Sequence, residues 1–280
     1  MDIKDLRYHQ QLGASDILST LRSVEINPVE LCNRRCEFCP RSDDELYPNQ
    51  KLKINTDLVA KIANDLQEIN FNGRVGFVGF GEPMMHNKLT ECIAIIKQTV
   101  TNVDSIEVNT NGDFLTAART KDLVTAGCNT LTVSMYDYDA TAKFEAFTAG
   151  LDVLLTLRHH YIRENDFNLS LVNRIDLAHT ASIHLDIKRP CYIPFYKMFI
   201  DWNGRILVCN NDWGRASNLG NIQDKSIKEI WLGSEFMSYR KELLEGNRAQ
   251  CQPCNRCNVN GVKLGHKSVE IFKNLIRSPI

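Results

Sequence analysis

Residues Leu31–Pro40 read LCNRRCEFCP and place Cys32, Cys36 and Cys39 in a C-x3-C-x2-C pattern. Thiolates are soft ligands, suited to zinc or to iron–sulfur clusters. A structural zinc site takes four ligands and is closed, and no fourth Cys or His lies within this loop. Three thiolates would leave one metal corner open for something else. The spacing also differs from the C-x2-C-x2-C run of bacterial ferredoxins.

Outward from the loop, the chain alternates between two periodicities. Residues 23–28 (SVEINP) read as the strand that delivers the cysteines. Leu58, Ile62, Leu66 and Ile69 recur at helical spacing in 56–69. An apolar β-rich run follows at 73–83 (GRVGFVGFGEP), then a helix at 87–98. The strand at 105–113 closes on an Asn-Gly turn, and the next helix ends at Gly127, a glycine C-cap. Strands at 129–137, 151–160 and 168–176 enclose a short helix at 143–150. Strands alternating with helices predict parallel βαβ units. At roughly 31 residues per unit, residues 20–180 hold five or six of them, a partial barrel. The expected class is therefore α/β, a partial (βα)6 TIM-like barrel. Its chemistry would sit on the loops after the strands, which include the cysteine loop.

Near 182–190 the character changes. Residues 198–209 (MFIDWNGRILVC) read as a hairpin turned at Asn203-Gly204. An amphipathic stretch at 226–246 leads to CQPCNRC at 251–257. The expected organisation is an N-terminal extension (1–20), the barrel (21–185), a small cysteine-bearing domain (186–265) and a tail (266–280). Cys191, Cys209, Cys254 and Cys257 form a second thiol set, with the hairpin bringing the first two close. Four soft ligands suggest a closed cluster, with tetrahedral zinc as the alternative.

Composition narrows the function classes. The chain has 280 residues, is 43% hydrophobic and carries a formal net charge of -1. No basic block supports phosphate-driven nucleic-acid binding, and no apolar run approaches a membrane span. The polar, mixed-charge first residues show no signal peptide, so a cytoplasmic location is expected. There are ten cysteines. A disulfide framework belongs to short secreted chains, and this one is long enough to build a core without it. Cys92 falls on the apolar side of a helix and reads as core, and Cys128, just before a strand, is expected at the closed end of the barrel.

Cys32, Cys36 and Cys39 on a loop after a first strand, with Phe38 before the last cysteine, resemble the radical S-adenosylmethionine (SAM) superfamily. The resemblance extends over about 20–180. It implies a 4Fe-4S cluster on these three cysteines, with SAM chelating the fourth iron and yielding a 5′-deoxyadenosyl radical. Gly79-Phe80-Gly81-Glu82-Pro83 resembles the family's Gly-Gly-Glu motif, with Phe80 in place of its first glycine. The motif implies that Phe80, Gly81 and Glu82 meet the SAM amino group. Asn109 and Asn111 resemble residues near the SAM ribose, and Ser134 the polar residue on the following strand. Arg174 is a candidate for the SAM carboxylate. Tyr136 and Asp137 would face either SAM or substrate.

The C-terminal cysteines resemble the SPASM/twitch extension found after such barrels. Leu219-Gly220-Asn221-Ile222, Ser226-Ile227, Glu229-Ile230-Trp231 and Arg240 are similar in placement. Five cysteines imply the shorter form with a second, auxiliary 4Fe-4S cluster. Cys191, Cys209, Cys254 and Cys257 are its expected ligands, and Cys251 could exchange with Cys257. Trp213 and Arg215, just after Cys209, read either as neighbours of that cluster or as a surface loop.

A cluster saturated by four cysteines cannot anchor substrate but can accept an electron. The resemblance therefore implies oxidation of a secondary alcohol to a ketone on a small polyhydroxylated substrate, a sugar or aminocyclitol. Epimerisation is the alternative, with Cys251 as hydrogen donor. Peptide modification is another, although the residues before the first strand are few for a leader-binding domain. An electron-transfer protein holding two clusters is the non-enzymatic alternative. A reductase such as flavodoxin or ferredoxin is the expected partner, with neither nucleic acid nor membrane. Arg158, His159 and His160, at the end of the fifth strand, are candidates for substrate contacts and a general base. Against this, strand alternation would point two of the three to solvent.

Overall fold

The computed structural model describes residues 17–136, 140–160 and 188–277. Among them, seven strands form one sheet: β1 (Ser23–Ile26), β2 (Arg74–Phe77), β3 (Ser105–Thr110), β4 (Thr130–Met135), β5 (Leu154–His159), β6 (Lys197–Ile200) and β7 (Ile206–Leu207). Their order is β5-β4-β3-β2-β1-β6-β7. All neighbours run parallel except β6 and β7.

The helices α1 (Thr56–Glu68), α2 (Leu89–Thr99), α3 (Ala117–Ala126) and α4 (Thr141–Thr148) alternate with the first five strands. Local signals set their ends. The Asn55 side chain accepts from the Leu58 amide at 2.7 Å and caps α1. The Thr116 hydroxyl accepts from Arg119 N at 3.2 Å and caps α3. Gly127, at φ +116°, ends α3 in the left-handed conformation that the sequence predicts.

Each strand alternates. Val24, Ile26, Val75, Phe77, Ile106, Val108, Leu131 and Val133 join Leu58, Ile62, Leu66, Ile93 and Ile96 in one apolar core beneath the helices. The other face carries Ser23, Glu25, Arg74, Glu107 and Thr132, which bond to one another. A period of two puts the polar set on the strand face away from the helices. Gly76 is part of this arrangement: a Cβ there would lie 2.7 Å from the Arg74 guanidinium, which crosses toward Glu25.

The hairpin expected to open the C-terminal domain instead continues this sheet. Its first strand, β6, pairs with β1 in parallel from Ser23↔Lys197 to Ile26↔Ile200. The edge of β1 not used by β2 needs a partner for its backbone groups, and the hairpin supplies it. Gly204, at φ +83°, makes the turn as expected. The strand expected at 168–176 lies outside the described residues, as does most of the boundary expected at 182–190.

A short helical turn α5 (Ile193–Tyr196) leads into the hairpin, and beyond it come α6 (Ile227–Leu232), α7 (Ser234–Glu245) and α8 (His266–Arg277). Ser226 and Glu229 form a reciprocal capping box on α6. The stretch expected as a tail is helical over α8, because Val269 and Phe272 bury one face against Phe195. Ile227 donates its amide to Asp65 on α1 at 3.0 Å, and Trp231, Phe236 and Leu243 belong to the same core as β1 and α1.

Candidate functional site

The loops after β1, β2 and β3 emerge on one side of the parallel sheet, and their side chains interlock. Asn49 holds Cys32 at both backbone groups, accepting from its N–H at 2.9 Å and donating to its carbonyl at 3.1 Å. The Cys39 amide donates to the Cys36 carbonyl at 2.8 Å, which folds the two cysteines into one turn. Asn33 donates to Asp113 at 2.6 Å, Arg34 Nε to the same carboxylate at 2.6 Å, and Asn111 Nδ2 to Asn33 at 2.7 Å. The cysteine loop is thus clamped to the turn after β3. Asp113, Asn33 and Arg34 escaped sequence reading; the two basic residues inside LCNRRCEFCP were the available signal.

Glu82 is 2% exposed. Its Oε1 accepts from Met84 N at 2.9 Å and Thr110 Oγ1 at 2.6 Å, and Oε2 accepts from Asn111 N at 2.7 Å. Burial pushes its carboxyl above the ordinary range, against these three donors. Gly81 lies so close to the strand leading into the cysteine loop that a Cβ would sit 2.1 Å from the Val29 carbonyl. The Phe80 ring is buried among Tyr47, Phe199 and Trp213, with centroids 4.6 Å from Trp213 and 5.1 Å from Phe199. The extra side chain at this glycine position therefore fills an aromatic cluster between the cysteine loop and the β6–β7 hairpin.

Phe38 stacks on Tyr136 at 6.4 Å with a 6° interplanar angle, and His160 packs on both rings at 5.7 and 5.4 Å. Arg34 lies 4.3 Å over the Tyr136 ring. A His160 ring nitrogen is 3.1 Å from Ser134 Oγ. Ser134 is the register partner of Arg158, so Arg158 shares its face, and Arg158 helps hold the Glu107 carboxyl low. His159 pairs with Met135 on the other face and is exposed. Alternation thus brings Arg158 and His160 together and sends His159 away. Asn109 pairs in register with Thr132. Arg174 and Asp137 lie outside the described residues.

Among the described residues no two cysteines are joined by a disulfide. Among the described residues no group of three His, Cys, Asp or Glu closes around a single ion. Within each set, some of the thiols nevertheless raise one another. Burial raises Cys32 to about 11, with Glu82 and Cys39 adding to it. Burial also raises Cys36, opposed by a Tyr136 hydrogen bond and Arg34. In the second set, Cys191, Cys209, Cys254 and Cys257 influence one another in every pairing, and burial raises Cys191, Cys209 and Cys254. Cys251 is 4% exposed in the core and is raised to about 11 by burial, then by Glu242 and Cys191. Cys92 and Cys128 are core residues, both pushed to about 12 by burial.

Two all-sulfur donor sets, one of three and one of four, fit iron–sulfur clusters. Burial that favours protonated thiols in the bare chain is relieved when cationic iron binds the thiolates. Arg248, 1% exposed, braces the second set, donating to the carbonyls of Arg189, Pro190, Cys257 and Val259 at 2.9–3.2 Å. Arg240 holds the helices beside it through the Pro194 and Trp231 carbonyls.

Comparison with known proteins gives two family matches: the radical SAM superfamily over residues 26–157 and the SPASM iron–sulfur cluster-binding domain over 191–258. The chain is 28% identical over 250 residues to the S-adenosyl-L-methionine-dependent 2-deoxy-scyllo-inosamine dehydrogenase of Niallia circulans, covering 87% of this chain and 94% of that one. The crystal structure of BtrN in complex with AdoMet and 2-DOIA superposes with a TM-score of 0.73 at 25% identity, covering 88% and 95% of the two chains. Streptococcus suis SuiB bound to precursor peptide SuiA shares the fold alone, at 10% identity and a TM-score of 0.53 over 88% of this chain and 76% of that one. The cysteine loop after β1, the glycine-rich loop after β2 and the thiol set that flanks the hairpin thus fall within the matched stretches, residues 26–157 belonging to the radical SAM superfamily and 191–258 to the SPASM iron–sulfur cluster-binding domain.

Proposed function

We propose that this chain oxidises a secondary alcohol to a ketone on a small polyhydroxylated ring, a sugar or aminocyclitol. The observation that carries the reading is the second thiol set: Arg248 ties the segments of Cys191 and Cys257 together through the Pro190 and Cys257 carbonyls, and Cys209 and Cys254 are buried in the same core, so four sulfurs are at hand without a ligand from substrate. When bound, SAM and the two 4Fe-4S clusters supply a hydrogen-abstracting radical and an electron acceptor, so one hydrogen atom, one proton and one electron leave the alcohol.

The residues divide this work. Cys32, Cys36 and Cys39 hold the first cluster, and Cys191, Cys209, Cys254 and Cys257 the second. Gly81, Glu82, Asn109, Asn111 and Ser134 shape the SAM site, with Phe38 and Tyr136 as its aromatic wall. Glu82 holds the loop after β2 to the end of β3, and Phe80 anchors that loop in the aromatic cluster with Tyr47, Phe199 and Trp213. Arg158 and His160, on the face shared with Ser134, bind substrate hydroxyls, and His160 receives the hydroxyl proton. A flavodoxin or ferredoxin supplies the first electron. No described helix is long and apolar enough to cross a membrane, and the reading places the enzyme in the cytoplasm.

Anaerobic incubation with SAM, reductant and candidate sugars, aminocyclitols and peptides tests it. The expected product has lost two mass units, with one 5′-deoxyadenosine formed per turnover. A mass unchanged in H2O but raised in D2O by incorporated solvent deuterium would establish epimerisation instead, and a modified peptide would overturn the substrate class. Cys36→Ala should abolish 5′-deoxyadenosine formation altogether.

A further inference from the structure

Between the two thiol sets lies a buried charge network that neither set needs for ligation. Arg215 follows Cys209 by six residues and sits at φ +51°, a left-handed conformation for a residue that is not glycine. Such conformations persist only where their surroundings enforce them. Here the guanidinium forks: Nε donates to Asp201 Oδ2 at 2.6 Å, Nη2 to Glu30 Oε1 at 2.6 Å, and Nη1 to the Tyr47 hydroxyl. Asn27 Nδ2 bridges the same two acids at 2.7 and 2.8 Å.

Glu30 passes the connection on. Its Oε2 accepts from Arg41 Nη2 at 3.0 Å. Arg41 donates from Nε to the Phe80 carbonyl and from Nη1 to Asn49 Oδ1 at 3.1 Å, and that same amide oxygen receives the Cys32 N–H. Glu30, Asp201 and Arg41 are 3%, 0% and 1% exposed. Two carboxylates and two guanidiniums balance, and removing one guanidinium leaves an uncompensated buried charge. A planar fork suits this three-way junction, and an ammonium does not.

We infer that Arg215 is a positioning residue that transmits the placement of the auxiliary-cluster loop, through Glu30, Arg41 and Asn49, to the backbone of Cys32 and the loop at Phe80. The inference rests on reading the two thiol sets as cluster sites, and it makes SAM affinity at the first site depend on an occupied second site. Two sites coupled in this way respond non-additively when both ends are changed.

The experiment uses anaerobically reconstituted full-length protein. It measures iron content, the SAM dissociation constant by equilibrium binding, and the electron paramagnetic resonance spectrum of the reduced first cluster with and without SAM. Arg215→Gln should retain about eight irons per chain and weaken SAM binding about tenfold, with a heterogeneous cluster signal. Cys254→Ala should weaken SAM binding about fivefold in the native background and less than about twofold when Arg215→Gln is already present. Arg215→Lys, which keeps the charge and loses the fork, serves if Arg215→Gln does not fold; it should still weaken SAM binding about threefold. SAM affinity unchanged in Arg215→Lys, or effects of Arg215→Gln and Cys254→Ala that simply multiply, would overturn the inference. About four irons in the unsubstituted protein would sink the two-cluster reading instead, a separate outcome.

Discussion

At the scale of single residues, Glu82 accepts three hydrogen bonds from within the protein, leaving about one of a carboxylate's four acceptor positions for a ligand. Its first task is to fasten the β2 loop to the end of β3. Glu82→Gln would turn an amide N–H₂ toward one of these donors and leave a buried group unsatisfied. It should lower stability by about 1–3 kcal/mol, read by denaturant unfolding, and weaken SAM binding in a direct titration. Phe80 occupies the place where the family pattern has glycine, and its ring touches Tyr47, Phe199 and Trp213. Phe80→Ala should therefore cost about 3–5 kcal/mol as a core truncation. The motif itself was legible, because the glycines and the glutamate are adjacent in sequence. The direction of the Phe80 ring was not, because its neighbours come from segments as far away as residue 213.

Among the elements, the strands were easier to read than their assembly. Alternation of SVEI, SIEVNT and TLTVSM announced strands with one apolar face, and Gly127 announced a helix end. Alternation also separated His159 from Arg158 and His160, with two of the three expected to face solvent, but which face turns toward Ser134 depends on the register with β4. Nothing local announced that β6 would pair with β1, since the register joins residues 174 apart from Ser23 to Lys197. The polar face likewise needed the fold to bring Glu25, Arg74 and Glu107 together. Burial pushes the Glu107 carboxyl up, but Arg74, Thr132 and Arg158 outweigh it and hold it at about 2. A carboxyl held low in the folded state stabilises that state fully above its unfolded value and loses this contribution as the pH falls toward the folded one. Acid unfolding should therefore be less steep between about pH 4.5 and 2 in Glu107→Gln than in the native chain. The same variant should be less stable at pH 7, because Arg74 loses a buried partner.

For the whole molecule, the apolar core does not respect the boundary drawn from sequence. Ile222, Ile230, Trp231 and Phe236 share it with Val24, Ile62 and Phe77. The cysteines beyond the hairpin rest on the same body as the sheet. Chemical analysis should find about eight irons and eight acid-labile sulfides per chain. Cys254→Ala should reduce both toward about four and stop ketone formation while SAM cleavage continues at the first site. Pairing β1 with β6 also has a consequence for how the protein is made. Cys32, Cys36 and Cys39 leave the ribosome among the first forty residues, yet the strand that leads into them gains its second neighbour only when residues 197–200 have been synthesised. Asp201 and Arg215, which complete the charge network at Glu30, arrive later still. The first cluster can be installed in a settled loop only after most of the chain exists, so nascent chains arrested before residue 197 should retain little iron.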